Sequence, residues 1–217
     1  MQTRLEYQIR RPAEPAEAPT VAVLLHGRGS HMGDLQALAP ALPPSWFVVT
    51  PQAPNAGSLW GYGPGWAWYR YIADDRVVEE ALTESLQKLD GFLDDLPDIV
   101  GSTPDRIVLG GFSQGGTMSL AYALTHPGRV DAVWNFSGFL AASVDPAPGA
   151  ATAPPIYWGH GHHDPAIPFP LAERGRTRLG EAGIPVSVGD FPIGHWIDPV
   201  EIRQALEIVP DDGEAKI

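Results

Sequence analysis

No cysteine occurs anywhere in the chain, so disulfides, thiol nucleophiles and thiolate metal sites are all excluded. Basic side chains are also scarce: 14 Lys and Arg stand against 26 Asp and Glu, a net charge of -12. That balance repels polyanions, which argues against nucleic acid and anionic membrane surfaces as partners. No apolar run is long enough to span a bilayer. The opening Met1-Gln-Thr-Arg-Leu-Glu-Tyr also lacks a signal-like apolar core, so a cytoplasmic location is expected. What is present is 44% hydrophobic residues over 217 positions, enough for the core of one globular domain. That domain is expected over residues 1–217, with an edge strand and connector in 1–20 and a frayed tail in 211–217. No internal repeat is visible.

Short apolar runs alternate with segments of helical period. Leu5–Ile9 alternates apolar and polar residues, as an edge strand does, while Val21–Leu25, Trp46–Thr50, Ile107–Gly110, Val130–Phe136, Ile156–Gly159 and Val186–Phe191 fit strands. Helices are expected at Leu35–Ala39 (capped by Asp34), Val77–Leu96, Thr117–His126, Leu171–Ala182 and Val200–Val209. Pro12–Thr20 and Ala141–Pro155 are connectors, the second too short to hold a lid. Trp60–Tyr71 has neither period and is too aromatic for an ordinary solvent loop. The alternation predicts an α/β fold, a mostly parallel central sheet with helices on both faces. Function in such sheets gathers in loops after the carboxyl ends of strands. His26-Gly-Arg28, the aromatic segment, Ser113, Asp164 and His195 all fall at that edge.

Ser113 stands in Gly111-Phe-Ser-Gln-Gly115, a G-x-S-x-G sequence between a strand and a helix. A tight strand-to-helix turn lifts a serine hydroxyl clear of the sheet, and small flanking residues let the backbone close. The hydroxyl then needs a base, and the base needs a carboxylate to hold its tautomer. Asp164 and His195 each follow a later strand, in the order Ser, Asp, His that this kind of turn uses.

Four blocks carry a wider likeness: Leu25-His-Gly-Arg-Gly29, Gly111-Phe-Ser-Gln-Gly-Gly116, His160-Gly-His-His-Asp-Pro-Ala-Ile-Pro168 and Gly194-His195. In these the chain resembles the phospholipase/carboxylesterase family of α/β-hydrolases, which includes acyl-protein thioesterases and small bacterial carboxylesterases. The resemblance covers nearly the whole chain after the first strand. It implies an α/β-hydrolase fold without a lid domain, Ser113 as nucleophile, His195 as base and Asp164 as acid. It further implies an oxyanion hole from the backbone N–H groups of Arg28 and Gln114. The thioesterase branch often has an apolar residue where this chain has Arg28. A guanidinium there could meet a substrate carboxylate or phosphate, or pair with a neighbouring acid.

His160, His162, His163 and Asp164 carry zinc-ligand chemistry. His160 belongs to a family block and Asp164 is needed by His195, so no metal and no cofactor are expected. His162, His163, His31 and His126 fit exposed positions, and His26 fits a structural role through a ring hydrogen bond. Of the aromatic segment, Trp66 and Trp68 are expected to pack inward and Trp60 or Tyr62 to face the site, with Trp60, Tyr62 and Trp66 the candidate substrate-binding residues. The expected activity is hydrolysis of short- to medium-chain carboxylic esters, with a small-molecule ester as partner. An acyl thioesterase or lysophospholipase on the same residues is the alternative, and a non-catalytic ligand sensor is the alternative of another class. A homodimer could form over an apolar pocket rim, though no stretch marks its interface.

Overall fold

The computed structural model describes residues 5–210; the expected frayed tail, 211–217, lies outside them. Seven strands form the central sheet: β1 (Tyr7–Arg10), β2 (Thr20–Leu25), β3 (Phe47–Pro51), β4 (Arg106–Phe112), β5 (Ala132–Phe136), β6 (Ile156–Gly161) and β7 (Val186–Phe191). Their order across the sheet is β1-β3-β2-β4-β5-β6-β7. Only β1 runs antiparallel to its neighbour, and every other pairing is parallel.

Strand β2 shows why the sheet must be covered twice. All six of its residues are buried. Val21, Val23 and Leu25 enter one core, whereas Ala22 and Leu24 enter the other, as side-chain alternation requires. The first core takes apolar faces of helices α1 (Glu79–Asp94), α2 (Leu96–Val100), α3 (Gln114–Thr125) and α4 (Phe169–Glu181). The second is closed by the 3-10 segment Leu35–Ala41 and by α5 (Pro199–Glu207). Each aliphatic side chain buried this way contributes roughly 1.5–3 kcal/mol.

Three expectations are corrected. Leu35–Ala41 is 3-10 and not α-helical, with Pro40 inside it, because proline brings no N–H to an i→i−4 ladder. Asp34 makes no cap there; its carboxylate accepts from the Ser30 hydroxyl at 2.7 Å. The aromatic segment is partly ordered as strand, Trp66–Ala67 pairing with Asn55–Ala56 and Tyr71–Ala73 with Arg76–Val77. Between Phe139 and Pro155 the described residues hold only the 3-10 turn Ala147–Thr152, with no cap domain. Among the described residues no helix is long and apolar enough to cross a membrane.

Glu201 is a costly buried carboxyl. It is wholly buried in α5, where its Oε2 accepts from the Asp198 N–H at 2.6 Å in a capping box, and its Oε1 has no partner among the described residues. Burial raises its pKa from 4.5 to about 7. The folded chain therefore holds this proton where the unfolded chain has lost it, so stability falls as pH rises from 4.5 to about 7. The full loss is of order 3 kcal/mol. Glu201→Gln removes the titration and should narrow the gap between melting temperatures at pH 5 and pH 8. An unchanged gap in thermal melts would reject this role for Glu201.

Candidate active site

Ser113 is the one residue between β4 and α3. Its φ of 55° and ψ of -115° are strained for a residue with a Cβ. Backbone holds it there. The Ser113 N–H donates to the Phe136 carbonyl at 2.7 Å, and the Thr117 N–H donates to the Ser113 carbonyl at 3.1 Å. The helix that follows starts at Gln114, three residues earlier than its apolar pattern predicts, so its partner-free first amides begin beside Ser113.

Asp164 and His195 come from the loops after β6 and β7. Asp164 Oδ1 accepts from the N–H groups of Ala166 at 2.8 Å and Ile167 at 2.9 Å, and its Oδ2 lies 2.6 Å from His195 Nδ1. Burial alone would raise the pKa of Asp164, but hydrogen bonds from His195, Ile167 and Ala166 outweigh it and hold the carboxyl below its ordinary value. An ionised carboxylate only accepts, so His195 Nδ1 carries the proton and its Nε2 is left as the basic atom. His160 sits behind the pair, buried, with Nε2 2.8 Å from the Ile167 carbonyl and 3.6 Å from Asp164 Oδ2. Burial lowers its pKa, disfavouring the charged ring.

Ser113 and His195 line one cavity of about 260 Å³, together with Gly27, Arg28 and Gln114. The loop carrying Gly27 and Arg28 is tied down by His26. The Ala53 N–H donates to His26 Nε2 at 3.0 Å, His26 Nδ1 donates to the Gly27 carbonyl at 2.8 Å, and Trp68 Nε1 donates to the His26 carbonyl at 2.9 Å. Burial lowers the His26 pKa to about 4, so the ring stays neutral in that role. The Gln114 side chain adds a clamp that its motif did not signal. It accepts from the Trp68 N–H at 2.8 Å and donates to the Tyr69 carbonyl at 2.6 Å.

The expected aromatic wall of Trp60, Tyr62 and Trp66 is not the one found, since none of the three lines the cavity. Trp66 is exposed, because its strand bridges Ser30 through backbone and turns the indole outward; Trp68, two residues on, is the buried one. The cavity wall is instead Tyr69, Tyr71, Phe112, Phe139 and Ile167. Phe112 packs its ring 4.6 Å from that of His195. Tyr69 and Tyr71 stand in the aromatic segment that the sequence marks and Ile167 in the His160–Pro168 block, whereas Phe139 has no distinguishing signal.

Arg28 pairs with no acid among the described residues. Its guanidinium lies 4.8 Å over the Tyr62 ring, at the same cavity. No group of three or more His, Asp or Glu able to hold a metal is found among the described residues, and His162 and His163 are exposed.

Residues 6–210 match the model of the phospholipase/carboxylesterase family. Acyl-protein thioesterase 1 of Kluyveromyces lactis is 30% identical over 177 residues, covering 75% of this chain and 76% of that protein. The crystal structure of esterase PE8 superposes with a TM-score of 0.81 at 28% identity, covering 95% of this chain and 100% of that one. A carboxylesterase from Mesorhizobium loti, 19% identical, shares the fold with a TM-score of 0.76 over 94% of this chain and 96% of its own.

Proposed function

The chain belongs to the phospholipase/carboxylesterase family of α/β-hydrolases and is a serine-type ester hydrolase, and on that premise we propose that it cleaves short- to medium-chain carboxylic esters through an acyl-enzyme on Ser113. The observation that carries this reading is the 2.6 Å contact of His195 Nδ1 with Asp164, on a cavity that Ser113 also lines. In it His195 Nε2 takes the Ser113 proton as Oγ attacks the ester carbon. The carbonyl oxygen becomes an oxyanion received by the N–H groups of Arg28 and Gln114. Collapse expels the leaving alcohol, which takes the proton from His195. Water then attacks the acyl-enzyme with the same base, releasing the acid and restoring Ser113. Asp164 stays ionised throughout and stabilises the imidazolium.

A cavity of about 260 Å³ is at or below the low end for small-molecule pockets, which favours short acyl groups. A second reading, thioester hydrolysis by the same residues, is favoured by the likeness to the yeast acyl-protein thioesterase. The test is the rate on p-nitrophenyl esters from acetate to palmitate, with a fluorophosphonate adduct mapped by mass spectrometry. A short-chain optimum with the adduct on Ser113 supports the proposal. A long-chain optimum, or faster turnover of matched thioesters, supports the second reading, and an adduct elsewhere rejects Ser113.

Phe139→Leu should raise kcat/KM for octanoate relative to butyrate about threefold, since each accommodated methylene is worth up to ~0.8 kcal/mol. Trp60→Ala should leave that ratio where it is. The reverse outcome in the same ester series would restore Trp60 to the wall.

A further inference from the structure

Arg28 has a side chain that ester hydrolysis does not use. Its backbone can serve the oxyanion whatever the side chain is, yet the guanidinium is held in a particular place. Tyr62 forms the platform, and Tyr62 is itself fixed. Its hydroxyl accepts from the Tyr71 N–H at 2.8 Å, and its own N–H donates to the Gly57 carbonyl at 2.9 Å. The guanidinium stacked 4.8 Å above this ring has no ion pair and no hydrogen bond among the described residues, leaving its donors unspent.

The neighbouring carboxylate is differently placed. Asp34 lines the same cavity, but its Oδ2 accepts from Ser30. The charge of Arg28 also reaches the phenols of Tyr69 and Tyr71 on the cavity wall, drawing their pKa values down against the raising effect of burial. An unpaired cation, oriented on an aromatic face beside a reactive serine, suits one kind of substrate.

We infer that Arg28 selects esters carrying a carboxylate, a half-ester of a dicarboxylic acid or an ester of a hydroxy acid, which the guanidinium holds at the cavity mouth while Ser113 attacks the ester carbonyl. The inference rests on the ester-hydrolase reading and names the substrate class for it. A planar fork matches a carboxylate in two parallel hydrogen bonds, a geometry that lysine cannot reproduce. Arg28 is exposed, so solvent screening limits the gain to about tenfold in kcat/KM, and added salt erodes it.

The experiment compares matched esters. On the acyl side, mono-p-nitrophenyl glutarate is set against p-nitrophenyl valerate. On the leaving-group side, 3-acetoxybenzoate is set against phenyl acetate. The measured quantity is the ratio of kcat/KM, anionic over neutral, in the wild type, Arg28→Lys and Arg28→Met. On one of the two sides the ratio should fall about tenfold in Arg28→Met and partway in Arg28→Lys, and it should decline with ionic strength in the wild type, less steeply in Arg28→Lys and not in Arg28→Met. The side that responds tells which half of the substrate carries the carboxylate. Ratios equal in all three proteins would overturn the inference. So would a wild-type preference for a cationic ester such as butyrylcholine over its neutral analogue, which would make Asp34 the dominant charge. Turnover of no ester in either pair would instead reject the ester-hydrolase reading itself, so the two failures are distinct.

Discussion

Asp164→Asn should leave the fold in place and lower kcat on p-nitrophenyl esters by roughly four orders of magnitude. The reason lies in how the two carboxylate oxygens are used. Oδ1 accepts from the Ala166 and Ile167 N–H groups, so in the variant the amide oxygen must stay there and the NH2 must take the place of Oδ2. That NH2 then donates to His195 Nδ1, which forces the ring proton onto Nε2. An Nε2–H cannot accept the Ser113 proton, and the base is lost although every atom is nearly where it was. Ser113→Ala should reach a similar floor by deleting the nucleophile, and combining the two should cost little more, because residues that act as one unit are not additive. The measurement is kcat for both single variants and the double, with melting temperatures to show folding. An Asp164→Asn protein within tenfold of wild type would mean that Asp164 is not what orients His195.

How much of this could be read beforehand depends on the range of the interactions. Ser113, Asp164 and His195 are legible as a candidate set because each stands in the turn or loop after a strand, and strands announce themselves through local apolar runs. The sheet was legible for the same reason: buried parallel strands such as Val21–Leu25 need no distant information. Boundaries moved where a cap or a proline decided them, as at Leu35–Ala41. The aromatic segment failed for a different reason. Whether Trp66 or Trp68 faces inward is fixed by backbone bonds from Ser30 and Gly29 to Trp66, and by the Gln114 clamp on Trp68 and Tyr69. Those partners lie far away in sequence, and no periodicity within Trp60–Tyr71 encodes them. Likewise Phe139 reaches the cavity wall only because Ser137 turns the chain at a φ of 53° after β5.

The same dependence on distant backbone gives Gly115 a large expected effect on folding. A Cβ built there would lie 1.9 Å from the Leu25 carbonyl oxygen and 2.9 Å from that of His26. Both obstacles are main chain at the end of β2, so no rotamer can yield, and either α3 or the strand must move. Gly111 is also pressed from the strand side, its Cβ position 2.4 Å from the Gly115 carbonyl carbon, so α3 cannot simply slide. Gly115→Ala should therefore cost about 3–5 kcal/mol, at the severe end for one added methyl. Gly180, in α4 with open space around its Cβ position, is the control: Gly180→Ala should gain about 0.5–1 kcal/mol from helix propensity alone. Urea midpoints of the two variants against wild type read both values. The folded fraction of Gly115→Ala carries a second forecast. The strand end it displaces leads into His26-Gly27-Arg28, so, on the proposal that the Arg28 N–H receives the oxyanion, kcat should fall more than KM rises while the cavity wall stays. A Gly115→Ala protein as stable and as fast as wild type would mean that the close packing of elbow, strand end and oxyanion loop is not what holds Ser113 in its strained conformation.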